Sequence, residues 1–240
     1  YSSDSTGQGI AVMNTDQESL LEYVKFDNLS NPSQNGWELT GAVTFYESPV
    51  KISHCQFTRS RAEDALNIFR SSFEIDNTLF SESMADAFDG DFIKGKIYNS
   101  SFVNCGNDAI DVSGSVISLQ NIFINGVGDK GLSAGENSQI TANQIDIKNT
   151  ALSVSSKDMS EIKIENLNLY ENRVGFTVFQ KKSEFGPASI IVNNLKTVNV
   201  EVPYLLENKS KLILDNKAMQ PNGKNIKDLL YGVEYGKSSK

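Results

Sequence analysis

The chain is 240 residues long, carries a formal net charge of −8 and is 39% hydrophobic. That acidity argues against nucleic acid as a partner, because phosphate contacts need an excess of Lys and Arg. No apolar stretch approaches the roughly 18 residues of a membrane-spanning helix, and two cysteines with a single histidine supply neither a disulfide framework nor a His-rich zinc site.

The apolar residues come as short runs of Val, Ile, Leu and Phe separated by Asn, Ser, Gly and Asp, a pattern of strands joined by tight turns. No linker interrupts it, so residues 1–240 read as one domain. Residues 1–19 are expected to supply an N-terminal partial coil or cap. Residues 20–48 make a long first coil with Trp37 on an out-turned loop. From residue 49 a repeat sets in, with coils at 49–71, 72–95, 96–115, 116–138, 139–160, 161–186 and 187–210. The coil 49–71 holds the strand-like run Val50–Phe57, in which His54 is given a structural role. Four segments then follow at intervals of 22: Glu63-Asp64-Ala65-Leu66-Asn67, Ala85-Asp86-Ala87-Phe88-Asp89, Asn107-Asp108-Ala109-Ile110-Asp111 and Asp129-Lys130-Gly131-Leu132-Ser133. Leu66, Phe88, Ile110 and Leu132 therefore form one apolar column, and Phe57, Phe80, Phe102 and Ile124 a second. Residues 211–240 read as a C-terminal cap with an amphipathic helix near Asn225–Tyr231, needed because an open solenoid end exposes core and strand edge.

A period of 22 also suits leucine-rich repeats, but the dense Leu signature and helical back segment are missing. The runs Val50-Lys51-Ile52, Ile117-Ser118-Leu119, Ile162-Lys163-Ile164 and Ile190-Ile191-Val192 are β-like instead. The expected fold is all-β: a right-handed, single-stranded parallel β-helix, or solenoid, of about eight coils with capped ends. Two repeats beyond Cys55 lies Asn99 rather than Cys105, so the thiols fall in different columns and stay reduced.

Stacking turns scattered charges into columns. One reads Asp64, Asp86, Asp108, Lys130, and the next Asn67, Asp89, Asp111, Ser133. Residues 1–128 hold 17 acids and 7 bases, whereas residues 129–240 hold 13 acids and 15 bases. Two carboxylates about 4.8 Å apart repel by roughly 3.5 kcal/mol at an effective dielectric near 20. Such a ladder must be relieved by donors, a cation or protonation. Three uses fit it: turn-capping of backbone N–H groups, an acid/base groove, and a calcium ion, the last without EF-hand-like or RTX-like spacing. The turn Lys181-Lys182-Ser183-Glu184-Phe185-Gly186-Pro187 reads as an exposed loop with the capacity to bind an anion.

The run Asn107-Asp108-Ala109-Ile110-Asp111-Val112-Ser113-Gly114, followed by Gly128-Asp129-Lys130-Gly131-Leu132-Ser133-Ala134-Gly135, resembles the pectin-lyase-like β-helix superfamily and, more narrowly, polygalacturonase-type glycoside hydrolases. Asp86 falls where that family has the Asp of an Asn-Thr-Asp motif, Asp108 on the second residue of its Asp-Asp pair, and Lys130 near its Gly-His-Gly histidine. Asn107 replaces one carboxylate of the pair, and no Arg-x-Lys motif follows; Lys157 and Asp158 are the nearest charged groups there. The resemblance implies a carbohydrate-active protein, hydrolase or lyase, with Asp86, Asp108 and Lys130 as catalytic residues and Asp89, Asp111, Asp129, Glu136, Lys157 and Asp158 in support. It implies a polysaccharide or cell-surface glycan as partner and a secreted or cell-surface setting, bacterial by type. No cofactor is required, with calcium as the alternative. Carboxylates beside Lys130 raise its pKa and make it a poor lyase base. The competing reading is a non-catalytic surface, adhesion or carbohydrate-binding module whose polar ladder is structural.

Overall fold

A computed structural model describes residues 7–232 as a parallel β-solenoid of about nine turns. Most turns contribute a strand to each of three faces, and the strands of these faces pair in parallel with their equivalents one turn away. The first face is built from Ile10–Met13, Gly41–Tyr46, Asp64–Phe69, Asp86–Asp91, Ile110–Ser113, residues 130–135 and 152–157, Val174–Phe179 and Val202–Leu206. The register is that of the repeat: Leu66 pairs with Phe88, Phe88 with Ile110, and Ile110 with Leu132.

Nine turns replace the eight expected because Ile10–Met13 pairs with residues 43–46 as a full strand of the first face. Within the segment expected to form a partial coil, residues 1–6 lie outside the described residues. Trp37 sits on a short antiparallel hairpin, Ser33–Gln34 with Trp37–Glu38, and is exposed.

Both apolar columns point into the coil. Leu66, Phe88, Ile110 and Leu132 are fully buried. Phe57, Phe80 and Phe102, joined by Phe26, stack with successive ring centroids 4.8 Å apart, the spacing of hydrogen-bonded strands. The corners explain the abundance of Asn. Between the second and third faces a single residue turns the chain with positive φ, and Asn77, Asn99, Asn121, Gln144, Asn166 and Asn194 do so at φ between 45° and 61°. Asn tolerates that left-handed conformation better than most residues. His54 is one of these corner residues rather than part of a strand: φ is 54°, and its ring stacks on Tyr23 at 4.8 Å. Cys55 and Cys105 are buried and unpaired.

The C-terminal helix, Ile226–Leu230, is capped by Asn225, whose side chain accepts the Asp228 backbone N–H. It folds back along the outside of the solenoid. Ile226 and Leu230 pack on Leu152, Val174, Phe179 and Leu205 of the first face. That placement follows from the sequence of the columns. The Asp64–Asp86–Asp108–Lys130 column continues as Leu152, Val174 and Val202, so the outer surface of the first face changes from acidic through basic to apolar along the axis.

Candidate active site

The acidic part of that face is held together by main-chain hydrogen bonds from one coil to the next. Asp86 Oδ1 accepts the backbone N–H of Asp108 at 2.7 Å and the Asn107 side-chain amide at 2.6 Å. One coil on, Asp108 Oδ1 accepts the backbone N–H of Lys130 at 2.9 Å. The Lys130 ammonium then donates to both Asp108 oxygens at 3.3 Å and to Asp129 Oδ2 at 2.6 Å. Asp108 and Lys130 are each buried, with side chains 2% and 8% exposed.

Lys157 arrives from the opposite direction. It lies two coils above Asp111 and reaches back to 3.8 Å from Asp111 Oδ1. The residues it crosses are small: its Cε lies 3.6 Å from the place where a Cβ on Gly135 would sit, and the column that continues from Asp111 is Ser133 and Ser155. A bulkier side chain at 135 would crowd that path.

These groups line a cavity of about 360 Å³ with Asn107, Asp108, Asp111, Asp129, Lys130 and Lys157 on one side and Lys181, Leu230 and Tyr231 on the other. Of the expected residues, the cavity therefore gathers Asp108, Asp111, Asp129, Lys130 and Lys157. Asp86 stands one coil outside it, and Asp89 accepts from the Asn67 amide at 2.7 Å on the same acidic face. Glu136 pairs with Lys182. Asp158 is buried and accepts the backbone N–H groups of Lys181 and Lys182 at 2.6 and 2.8 Å, so it anchors a loop. Lys181, Leu230 and Tyr231 were not expected at the site. Lys181 comes from the loop after Val174–Phe179, whereas Leu230 and Tyr231 reach the site because the C-terminal helix doubles back, and nothing in the 22-residue pattern encodes that.

The environments drive neighbouring carboxyls apart. Burial pushes the Asp108 carboxyl up to about 7 even though Lys130 pulls the other way. Burial also raises Asp86, Asp89 and Asp91, and for Asp89 and Asp91 adjoining carboxylates add to the effect. At Asp111 the outcome reverses: burial is outweighed by Lys157 and Lys130, which hold the carboxyl below its usual range. Lys130 loses some of its hold on the proton to burial but regains more from Asp108 and Asp129, so its ammonium is held charged. It serves as a fixed cation and cannot act as a base. Among the described residues no three Asp, Glu, His or Cys side chains form a group that could hold a metal ion.

The class defined by fold and site is thus a parallel β-solenoid with an ionisable ladder on one outward face. No protein-family model matches the sequence, and no curated protein matches it. Among solved structures it is similar to the catalytic domain of a GH87 alpha-1,3-glucanase in complex with tetrasaccharides, at 13% identity and a TM-score of 0.45 over 88% of this chain and 53% of that domain. It is also similar to the enzymatically active domain of bacteriophage CBA120 tailspike protein 2, at 11% identity and a TM-score of 0.37 over 88% and 44% of the two chains. A third is the Agl-KA catalytic domain, at 13% identity and a TM-score of 0.33 over 82% and 48%. The chain spans about half the length of these domains.

Proposed function

We propose that the protein hydrolyses glycosidic bonds of a polysaccharide on its acidic face, with Asp108 as the proton donor and Asp111 as the ionised partner that activates water. The observation that carries this reading is that one cavity is lined by two carboxyls that their surroundings drive apart, Asp108 pushed up to about 7 by burial and Asp111 held below its usual range by Lys157 and Lys130. Groups whose environments separate them in this way are what acid/base catalysis requires. Asp129 and Lys130 complete the charge balance, and Tyr231 offers a ring on which a sugar can stack. The setting that goes with such a substrate is outside the cell.

The test is a polysaccharide panel, including polygalacturonate and α-1,3-glucan, scored for new reducing ends and for absorbance of unsaturated uronates. Asp108→Asn and Asp111→Asn should each lower hydrolysis by a factor of about 10² or more. Retention of activity in both variants would remove these residues from the chemistry, and unsaturated products would replace hydrolysis by elimination. A second reading has its own observation: Asp86 and Asp108 each accept the main-chain N–H of the next coil, as a structural ladder would. Binding of a panel polymer without cleavage would favour that non-catalytic module.

A further inference from the structure

Near the C-terminal helix the molecule carries a second cavity, of about 610 Å³, formed where three chain segments meet. Its wall contains Lys181 and Lys182 from the loop after Val174–Phe179, Lys209 from the turn before Lys211–Leu214, and Lys224 and Lys227 from the start of the C-terminal helix. Against these five lysines stand Glu184 and Glu207, in a chain whose net charge is −8. Glu207 is itself engaged, accepting the Gln180 backbone N–H at 2.8 Å. Lys182 pairs with Glu136, and Lys181 lies over the Tyr231 ring at 5.0 Å. Lys209, Lys224 and Lys227 are exposed and have no acidic partner among the described residues.

Converging like charges from three segments raises the energy of the fold, and an anion placed among them offsets that cost. The lysine loop is also held in advance. Asp158 grips the main chain at Lys181 and Lys182, while the Gln180 side-chain amide donates to the carbonyls of Lys182, Ser183 and Phe185 at 3.2, 3.3 and 2.6 Å. Such fixing lowers the ordering cost of binding.

We propose that this cavity binds sulfate or phosphate ester groups carried on a glycan chain. Every cation in its wall is a lysine, a compact point charge, and none offers the planar fork with which arginine grips a carboxylate. Tetrahedral esters, with oxygens in several directions, suit separate ammonium groups. Lys181 belongs to this cavity and to the carboxylate cavity alike. A chain anchored here by its ester groups leads directly to Asp108 and Asp111. That continuation rests on the hydrolase reading, whereas the binding itself does not.

The experiment is affinity electrophoresis of the full chain in gels containing heparin, dextran sulfate, unsulfated dextran or polygalacturonate, repeated with a single-stranded oligonucleotide as competitor. Heparin and dextran sulfate should retard the protein, while unsulfated dextran and polygalacturonate should not. With three lysine contacts, affinity should fall about 20- to 40-fold between 50 and 200 mM salt. The triple variant Lys209→Gln, Lys224→Gln, Lys227→Gln should bind at least tenfold more weakly with an unchanged circular dichroism spectrum, and the corresponding triple Arg variant should retain binding. Equal retardation of the Gln variant would overturn the proposal. So would polygalacturonate retarding the protein as strongly as dextran sulfate, or the oligonucleotide displacing it at lower concentration. Because retardation is read without turnover, loss of this site and loss of the hydrolase reading are separate results.

Discussion

Asp64 provides a test of the electrostatics of the acidic face that does not depend on any substrate. Its carboxyl is 3% exposed, within the outer column of the first face. Burial, with Asp86, Glu63 and Asp91 nearby, pushes it up to about 7 against the opposing hydrogen bond from Thr40. In the unfolded chain it titrates near 3.8. Between those two values the folded state keeps a proton that the unfolded state has released, so stability falls as pH rises. The total loss for this one group is about 4 kcal/mol, of which roughly 2.5 kcal/mol falls between pH 5 and pH 8. Groups with lowered values, such as Asp111 and Glu74, act below this window and do not compensate within it. Asp64→Asn keeps the shape of the side chain and removes the titration. Urea unfolding followed by circular dichroism at pH 5 and pH 8 should show the natural protein less stable at pH 8, and the variant should lose about 2.5 kcal/mol less over the same interval. A natural protein that is equally or more stable at pH 8, or a variant with an unchanged pH dependence, would refute the reasoning.

Hydrolysis should decline as pH rises through about 7, where Asp108 gives up its proton; a pH–rate profile of any activity found checks this. Lys157→Met removes the nearest cation from Asp111 and should cost activity at least tenfold while shifting the acid limb of the profile upward. Phe80→Ala empties the middle of the Phe26–Phe57–Phe80–Phe102 stack and should destabilise the chain by about 3–5 kcal/mol, measured by urea unfolding. Leu230→Asp places a charge where the C-terminal helix meets the first face; limited proteolysis should then cut near residues 223–232 at a protease concentration that leaves the natural chain intact. Both thiols are buried, and burial pushes the Cys105 thiol up to about 11, so Ellman's reagent should titrate no thiol in the native protein and two in urea.

The solenoid was legible because its determinants repeat. A 22-residue interval puts Leu66, Phe88, Ile110 and Leu132 at the same point of successive coils, and one backbone geometry with one core satisfies all of them. The same arithmetic aligned Asp64, Asp86, Asp108 and Lys130, and it separated Cys55 from Cys105. Even the C-terminal helix could be placed, as an amphipathic segment near Asn225–Tyr231, where the structure has Ile226–Leu230.

Two things required the tertiary structure. The first was the extent of the fold: Ile10–Met13 completes a ninth turn only through its pairing with residues 43–46, a partnership too irregular in spacing to show as a repeat. The second was the site. Periodicity assigns a residue to a column but says nothing of how far a long side chain bends along the face, so the reach of Lys157 back to Asp111 over Gly135 was not readable. Nor was the opposite ionisation of Asp108 and Asp111, three residues apart, since burial and nearby lysines set it. The fold-back of the helix, which brings Leu230 and Tyr231 to one cavity and Lys224 and Lys227 to another, is a single non-repeating contact of Ile226 and Leu230 with the apolar end of the ladder. Repeating interactions leave a period in the sequence; contacts made once, between distant segments, leave none.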